Sequence, residues 1–204
     1  MKIYLVRHGE TDWNLEMRIQ GQTDVDLNAS GINQAEECAM FFRDNNYNYV
    51  YSSRLKRAIK TAEIIAGGKL PVKTYPELNE RSFGIWETCL WSEIHQKNPE
   101  LREQWKLLGR QYQPPQGESI LEMATRATRK FREVIDQHSI SDSILIVAHG
   151  GPIKVMIGYA MGVDEYVAYN RLRMHNCCIN TIDYDGDNFK IEGINYVHRP
   201  IINR

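Results

Sequence analysis

The sequence predicts an α/β fold, a three-layer α/β/α sandwich with a mainly parallel central sheet and a small helical lid. Three observations predict this fold. Apolar runs of strand length alternate with stretches of helical periodicity along most of the chain, as in parallel sheets. Two of these runs, residues 3–6 and 144–148, end in the same way, at a His-Gly pair. Between residues 83 and 115 the alternation lapses, which indicates an insertion.

The first strand is followed by a polar, turn-rich loop over residues 11–28, with room for one short helix. Asn28 is a typical N-cap residue for the helix that comes next. Apolar residues at spacings of three and four give that helix one buried face, and it is expected to end near Asn45 and Asn46.

A short strand at residues 49–51 stops at Ser52 and Ser53, where the next helix is predicted to begin. Arg57 lies in the first turn of that helix but off its apolar stripe, so its side chain is placed to reach an anion. Gly67 and Gly68 end the helix, and residues 71–75 predict another strand.

The second half repeats this alternation after the predicted lid. The clearest helical periodicity follows Ser119 and runs to Ile135. The strand at residues 144–148 precedes a helix predicted from Pro152, a residue favoured in the first turn. Residues 178–184 and 189–194 predict a closing hairpin, in which adjacent Cys177 and Cys178 face opposite sides of a strand.

Length and composition narrow the class of protein. The 204 residues predict one domain, 1–204, with the lid at about 83–115. A net charge of −1 argues against a broad face for nucleic acid. No segment approaches the ~20 apolar residues of a membrane span, and the N-terminal apolar run is too short for a signal peptide. Four cysteines without metal-type spacing are typical of reduced thiols, so we expect a cytoplasmic protein. We expect it to be a monomer or a homodimer.

The chemistry is expected where the two His-Gly junctions meet. Ligands bind at the carboxyl ends of the strands in open α/β sheets, and His8 and His149 both follow such ends. Arg7 disfavours a charged imidazole at His8, which leaves a neutral nucleophile beside a cation that binds phosphate. A metal site is the alternative for two histidines, but the spacing is not that of metal ligands and Arg7 would repel a cation. Nucleotide-binding glycine motifs are absent, so side chains would hold phosphate, helped by the backbone of Gly150.

Six segments, in order along nearly the whole chain, resemble the histidine phosphatase superfamily, which includes the cofactor-dependent phosphoglycerate mutases. The first is similar to the family's RHGxTxxN signature, and the third and fourth to its SSxLxRAxxTA and LxExxFGxWEG blocks. The matching segments are Arg7-His8-Gly9-Glu10-Thr11 with Asn14; Gln20-Gly21 with Asp24, Leu27, Gly31 and Gln34-Ala35; Ser52-Ser53-Arg54-Leu55-Lys56-Arg57-Ala58 with Thr61-Ala62; Leu78-Asn79-Glu80 with Phe83-Gly84 and Trp86-Glu87; Gly117-Glu118-Ser119; and Ala148-His149-Gly150-Gly151.

The resemblance implies a role for each matching residue. His8 would form a phosphohistidine, and Glu80 would protonate the leaving oxygen and then activate water. No metal or organic cofactor is implied. The resemblance also implies that Arg7, Arg57 and His149 bind the phosphoryl oxygens. It implies further substrate contacts for Asn14, Gln20, Thr23 and Gly150. Thr88 stands where the family usually has glycine, which narrows the backbone options at the entry of the lid and puts the fit of the family's substrates in doubt more than its chemistry.

Three functions remain open. The short segment between Glu80 and Gly117 resembles the phosphatase branch, with α-ribazole phosphatases of cobalamin synthesis and broad-specificity phosphatases as its closest likenesses; the partner would be a small phosphate ester. The alternative is a phosphoglycerate mutase, in which Arg81, Lys97 or Arg102 would hold a carboxylate. A catalytically silent regulatory homologue is disfavoured because every reactive residue is present. The aromatic residues of the lid either cover a ring-bearing substrate or only pack the lid.

Overall fold

The computed structural model describes residues 1–97 and 100–198, and of residues 95, 97 and 102 it describes the backbone alone. A six-stranded sheet has the order β3-β2-β4-β1-β5-β6. The first four strands in this order, β3, β2, β4 and β1, are parallel to one another. β5 runs antiparallel to β1, and β6 runs antiparallel to β5. The predicted, mainly parallel sheet is therefore confirmed. Its strands are β1 (Lys2–Arg7), β2 (Tyr49–Ser52), β3 (Val72–Thr74), β4 (Ser143–Ala148), β5 (Ile179–Tyr184) and β6 (Phe189–Tyr196).

Helices cover both faces of this sheet, as the predicted sandwich requires. None of those in residues 1–97 and 100–198 is long and apolar enough to cross a membrane. Short 3-10 turns occur at Pro76–Leu78, Gly84–Trp86 and Gly109–Gln111. The α-helices are α1 (Asp12–Leu15), α2 (Ala29–Phe41), α3 (Lys56–Ala66), α4 (Trp91–Lys97), α5 (Leu101–Leu108), α6 (Ile120–Asp136), α7 (Gly150–Met161) and α8 (Glu165–Arg171).

The alternation of side chains along β1 divides the core into two layers. Ile3 and Leu5 pack against α6 and α7, and Tyr4 and Val6 pack against α2 and α3. All four are buried. A strand that is apolar on both faces is expected at the centre of a sheet covered by helices on both sides. The core therefore holds the carboxyl ends of β1 and β4 rigidly at one edge.

Three helix boundaries differ from the sequence prediction. The sequence predicts the end of α2 near Asn45 and Asn46, but α2 ends at Phe41. It predicts that α3 begins at Ser52 and Ser53, whereas α3 begins at Lys56 after an N-cap, Leu55, that forms no side-chain capping bond. Similarly, α7 begins at Gly150 and not at Pro152.

The segment between residues 83 and 115 contains α4, α5 and two 3-10 turns, and adds no strand to the six-stranded sheet described above. Its aromatic residues form their own apolar cluster, in which Trp86 and Tyr112 are buried. This favours packing over substrate contact for these two residues. Thr88, at its entry, has a φ of 74°, the left-handed region in which glycine is favoured.

The C-terminal hairpin of β5 and β6 forms as predicted, but the cysteines before it do not lie in a strand. β5 begins at Ile179, and Cys177 has a φ of 50°. The two cysteines still pack into opposite core layers, Cys177 beside α2 and α3 and Cys178 beside α6 and α7. The helix α8, which the sequence analysis does not predict, lies between α7 and this hairpin.

Candidate active site

The carboxyl ends of β1 and β4 bring the two predicted histidines together. The strands are paired in parallel with Arg7 opposite Ala148, so the next residue of each strand is a histidine. The backbone N–H of His8 donates to the carbonyl of Ala148 at 3.0 Å. The two imidazole rings lie with their centroids 5.0 Å apart, and both side chains are buried.

His8 is held with one ring nitrogen free. Its Nδ1 lies 2.7 Å from the carbonyl oxygen of Gly9. Because a carbonyl oxygen only accepts, Nδ1 carries the proton and Nε2 keeps its lone pair. Burial, followed by the charges of Arg57 and Arg7, holds the pKa of His8 well below 6.5, so the ring is neutral at pH 7. A Cβ at Gly9 would lie 2.4 Å from the carbonyl oxygen of Gly31, so no side chain fits at the turn that orients His8.

The imidazole of His149 is held as the opposite tautomer to that of His8. Its Nε2 lies 2.7 Å from Oγ of Ser53, and that oxygen also accepts from the backbone N–H of Leu55 at 3.3 Å. Among the described residues the Ser53 hydroxyl has no acceptor other than Nε2, so its proton is assigned to that hydrogen bond, which places the imidazole proton on Nδ1. Burial, followed by the charge of Arg57, lowers the pKa of His149 well below 6.5. His149 is thus a neutral hydrogen-bond donor.

The two predicted arginines are anchored by backbone carbonyls. Arg7 donates from Nη1 to Met174 at 2.7 Å, and Arg57 donates to Thr23 at 2.8 Å and to Gly21 at 2.7 Å. Both guanidinium groups line one cavity of about 320 Å³ together with His8. Burial lowers the pKa of Arg57 to about 10, so it remains charged at pH 7.

Three buried donors, two on the cavity-lining arginines and one on the histidine ring beside His8, have no hydrogen-bond partner in the described part of the chain. They are Nε of Arg7, Nε of Arg57 and Nδ1 of His149. Unpaired buried donors are costly, and native proteins keep few of them. Two are on cations and the third is on a neutral donor, so an oxyanion would satisfy all three. This donor set favours a phosphoryl group over a metal ion, and the described residues contain no group of three or more acidic, histidine or cysteine side chains placed to hold a metal.

Glu80 lines the cavity together with Arg7. Its Oε1 accepts from the backbone N–H of Arg81 at 2.9 Å, and its Oε2 accepts from Gly151 at 3.3 Å. A Cβ at Gly150 would lie 3.9 Å from both Arg7 Nε and Glu80 Oε2, which shows how close the two side chains are to the start of α7. A carboxyl group is therefore available for proton transfer beside the oxyanion site.

The other predicted binding residues divide into two groups. Asn14, Gln20 and Gly150 line the cavity, whereas Thr23 does not. The hydroxyl of Thr23 donates to Oε2 of Glu87 at 2.7 Å, and only its carbonyl serves the site, by accepting from Arg57. The prediction that Thr23 contacts substrate directly is therefore not supported by its position, because Glu87 draws its hydroxyl away.

Of the three cations suggested to bind a substrate carboxylate, Arg81 is the one whose side chain is described. Arg81 is fully buried and donates to the carbonyls of Glu118 and Tyr112, and it does not line the cavity. The side chains of Lys97 and Arg102 lie outside the described residues. Instead, Lys154 and Arg173 line the cavity, and the sequence analysis does not single them out. Lys154 lies four residues after Gly150, a helical spacing that offered a signal for it.

Comparisons with known proteins identify the family of the chain. A model of the histidine phosphatase superfamily (branch 1) matches residues 3–197. The chain belongs to this superfamily. A probable phosphoglycerate mutase of Proteus mirabilis is 36% identical over 95% of this chain and 89% of its own length.

Solved structures are similar over nearly the whole fold. An α-ribazole phosphatase from Shigella flexneri has a TM-score of 0.88 and 29% identity, with 100% of both chains covered. A mutant phosphoserine phosphatase from Entamoeba histolytica, in complex with phosphoserine, has a TM-score of 0.83 and 31% identity, covering 96% of this chain and 97% of its own. The named relatives of this superfamily member therefore include both phosphatases and a probable mutase.

Proposed function

We propose that the chain is a metal-independent phosphomonoesterase, which hydrolyses a small-molecule phosphate ester through a phosphohistidine on His8. One observation carries the proposal. The free Nε2 of a neutral His8 lies in a cavity lined by Arg7 and Arg57, and unpaired buried donors on these two arginines and on the neighbouring ring of His149 suit an oxyanion. A nucleophile beside preorganised donors is the arrangement that phosphoryl transfer needs.

In the proposed first step, the Nε2 lone pair of His8 attacks phosphorus. The bond from phosphorus to the ester oxygen breaks, and Glu80 gives its proton to that oxygen, which leaves as the alcohol. Charge on the transferring phosphoryl group is stabilised by Arg7, Arg57 and the Nδ1–H of His149.

In the second step, Glu80 takes a proton from water, whose oxygen attacks the phosphorus of phosphohistidine. The bond from phosphorus to Nε2 of His8 breaks, inorganic phosphate leaves, and both side chains return to their starting forms. The Oε2 contact with the backbone of Gly151 holds the carboxyl group beside the start of α7 through both steps.

The proposal is tested with p-nitrophenyl phosphate, phosphoserine and α-ribazole phosphate in the presence of EDTA. We expect phosphate release that EDTA does not reduce and that His8→Ala abolishes. His175→Ala, at an exposed histidine that does not line the cavity, is the matched control and should keep full activity. Trapping of acid-labile ³²P in the wild type but not in His8→Ala would identify the intermediate. Activity that requires added metal, or that survives His8→Ala, would contradict the proposal.

The relatives suggest a finer assignment and an alternative. Hydrolysis of α-ribazole phosphate, the activity named for the Shigella flexneri structure, is the finer assignment. Phosphoglycerate mutase is the alternative, favoured by the name of the Proteus mirabilis relative. Isomerisation of 3-phosphoglycerate that depends on a bisphosphoglycerate primer and exceeds phosphate release would establish the mutase. A silent homologue would show neither turnover nor labelling of His8.

A further inference from the structure

The peptide group between His8 and Gly9 is hydrogen-bonded on both sides by side chains that are distant in sequence. Its N–H, which belongs to Gly9, donates to Oγ1 of Thr61 on α3 at 3.0 Å. Its carbonyl, which belongs to His8, accepts from Nδ2 of Asn176 at 3.0 Å. Two different parts of the chain therefore fix the two polar atoms of one peptide group.

Glycine leaves this peptide group without restraint of its own. A Cβ at Gly9 would lie 2.4 Å from the carbonyl oxygen of Gly31, so the close approach requires glycine there. A residue without a Cβ also gives the backbone more conformational freedom than any other residue. The carbonyl of Gly9 is the acceptor for Nδ1 of His8, at 2.7 Å. The orientation of the peptide group therefore decides whether that carbonyl stays opposite the imidazole.

The hydroxyl of Thr61 is oriented to accept from Gly9. Thr61 is fully buried, and its hydroxyl donates to the carbonyl of Arg57, one helical turn earlier, at 2.7 Å. Because the proton is used within α3, a lone pair of Oγ1 is left for the N–H of Gly9. The helix α3 therefore carries both a guanidinium group of the cavity and a support for His8.

The amide of Asn176 is oriented by two acceptors. Its Nδ2 lies 3.0 Å from the carbonyl oxygen of His8 and 3.3 Å from Oδ1 of Asn14, so each amide hydrogen has an acceptor. Oδ1 of Asn14 also accepts from the backbone N–H of Thr11 at 3.1 Å, which identifies that atom as the oxygen. Asn176 thus connects the carbonyl of His8 to Asn14, a residue that lines the cavity.

Loss of either side-chain contact would free the peptide group to rotate. A buried N–H without an acceptor is costly, so the N–H of Gly9 is expected to turn toward another partner. Rotation carries the carbonyl of Gly9 away from Nδ1 of His8, and the imidazole is then free to place its proton on Nε2. A smaller fraction of molecules would hold His8 in the tautomer that attacks phosphorus.

We propose that Thr61 and Asn176 form a clamp on the peptide group between His8 and Gly9, which keeps the lone pair of His8 on Nε2. The inference rests on the proposed phosphatase function, because that function requires this tautomer. Neither side chain lines the cavity, so both are positioning residues that act through His8 and do not contact substrate.

The first test compares variants of Thr61 with p-nitrophenyl phosphate as substrate. Thr61→Val keeps the shape of the side chain and removes the hydroxyl, and we expect a loss of kcat of about tenfold with KM unchanged. Thr61→Ser keeps a hydroxyl and should recover most of this loss. Thr128→Val is the matched control, because Thr128 on α6 makes the same contact with the carbonyl one turn earlier, at 2.7 Å, and does not line the cavity. It should keep the wild-type kcat.

The second test asks whether Thr61 and Asn176 hold the same peptide group. Asn176→Ala is expected to reduce kcat about tenfold. Asn45→Ala, which removes an amide that donates to the carbonyl of Phe41 at 2.8 Å, should leave kcat unchanged. Because either loss frees the peptide group, the double variant of Thr61→Val and Asn176→Ala should lose little more than one single variant. Losses that multiply to about 100-fold would show that the two residues act separately and would overturn the clamp.

Nitrogen NMR of the His8 imidazole tests the clamp without turnover. The signals that vanish in His8→Ala identify this ring. We expect a proton on Nδ1 alone in the wild type and a mixture of tautomers in Thr61→Val and in Asn176→Ala. A single, unchanged tautomer in both variants would overturn the inference even if kcat falls.

Failure of the inference is distinguishable from failure of the phosphatase function. If the wild type hydrolyses p-nitrophenyl phosphate and the Thr61 and Asn176 variants keep its kcat and its tautomer, the clamp alone is overturned. Equal losses of kcat in Thr61→Val and Thr128→Val would assign the effect to helix stability and would also overturn it. A wild type that hydrolyses no ester would contradict the phosphatase, and the NMR comparison would still decide whether the clamp holds His8.

Discussion

The hydroxyl of Ser53 and Nε2 of His149 lie 2.7 Å apart, and both side chains are buried behind the ring of His8, 5.0 Å from that of His149. His8 is oriented by the carbonyl of Gly9, which only accepts, and His149 by a hydroxyl that has its proton to give. The two neighbouring imidazoles are therefore held as opposite tautomers, one presenting a lone pair from Nε2 and the other a proton from Nδ1. In the proposed mechanism, this difference suits His8 to attack on phosphorus and His149 to donation to a phosphoryl oxygen.

Ser53→Ala is predicted to reduce kcat by about tenfold, less than the ~10²–10³ loss from removing an oxyanion donor itself. Without the Ser53 proton, the imidazole of His149 is free to place its own proton on Nε2, which removes the donor at Nδ1. Steady-state kinetics with p-nitrophenyl phosphate measure the loss. Nitrogen NMR of the imidazole should show a mixture of tautomers in the variant and a single one in the wild type.

Ser52→Ala is the matched control for this prediction. Ser52 is equally buried, but its Oγ has no hydrogen-bond partner in the described part of the chain. Removal of an unpaired hydroxyl is nearly neutral for stability. Equal losses of kcat in the two variants would show that the serine pair acts only through packing.

One helix boundary beside this contact could not be predicted from local sequence. Serine is a good N-cap residue, and Ser52 and Ser53 therefore indicate a helix start. The oxygen of Ser53 does accept from the backbone N–H of Leu55, but Leu55 is extended and α3 begins at Lys56, whose N–H donates to Oδ1 of Asp24 at 2.8 Å. A local rule fails here because the group that caps the first turn comes from a residue distant in sequence.

Other parts of the site were predictable to different degrees. His8 and His149 could be placed together because both follow strands that are apolar on both faces, and such strands lie side by side in a parallel sheet. Arg173 could not, because it follows α8, a short helix in which Ala168 is the single buried residue described. Without an apolar stripe, that helix has no periodicity to recognise.

Arg126→Met is predicted to reduce kcat about 10- to 100-fold with little change in KM. The guanidinium group of Arg126 donates to three backbone carbonyls, those of Glu77 at 2.6 Å, Asn79 at 2.8 Å and Glu80 at 3.0 Å. It also forms an ion pair with the carboxylate of Glu118 at 2.6 Å. It therefore fixes the loop that carries the proposed acid, although it is a positioning residue and does not line the cavity. Kinetics well below the unfolding temperature separate this effect from loss of stability.

Arg129→Met provides the control on the same helix. Arg129 is exposed, and its ion pair with Glu133 is 3.7 Å long, so its loss should change neither kcat nor KM. A rise in KM with kcat unchanged in Arg126→Met would assign Arg126 to substrate binding and contradict a role through Glu80.

Acid is predicted to destabilise the protein through its buried histidines. The folded-state pKa values of His8 and His149 lie well below 6.5, mainly because of burial and then the charge of Arg57. Between the folded and unfolded pKa values the unfolded chain binds more protons, so this stability is complete above about pH 6.5 and is lost as the pH falls. Each histidine contributes a slope of up to about 1.4 kcal/mol per pH unit.

Urea unfolding at pH 7.5, 6.5 and 5.5 measures this slope. We expect His8→Asn to make the decline with falling pH shallower, whatever its effect on stability at pH 7.5. An identical slope in His8→Asn and the wild type would show that His8 is not held neutral by the fold.

Thr88→Gly is predicted to stabilise the protein by about 0.5–1 kcal/mol. Thr88 has a φ of 74°, a region that costs a residue with a Cβ roughly 1–2 kcal/mol, and glycine recovers this strain less its larger loss of chain entropy. The backbone is fixed there from both sides, because its N–H donates to Ile19 at 2.8 Å and its carbonyl accepts from Arg18 at 2.6 Å. Urea unfolding measures the gain, and Thr88→Ala, which keeps the Cβ, should show none. A gain of equal size in both variants would assign it to the threonine side chain instead of the backbone.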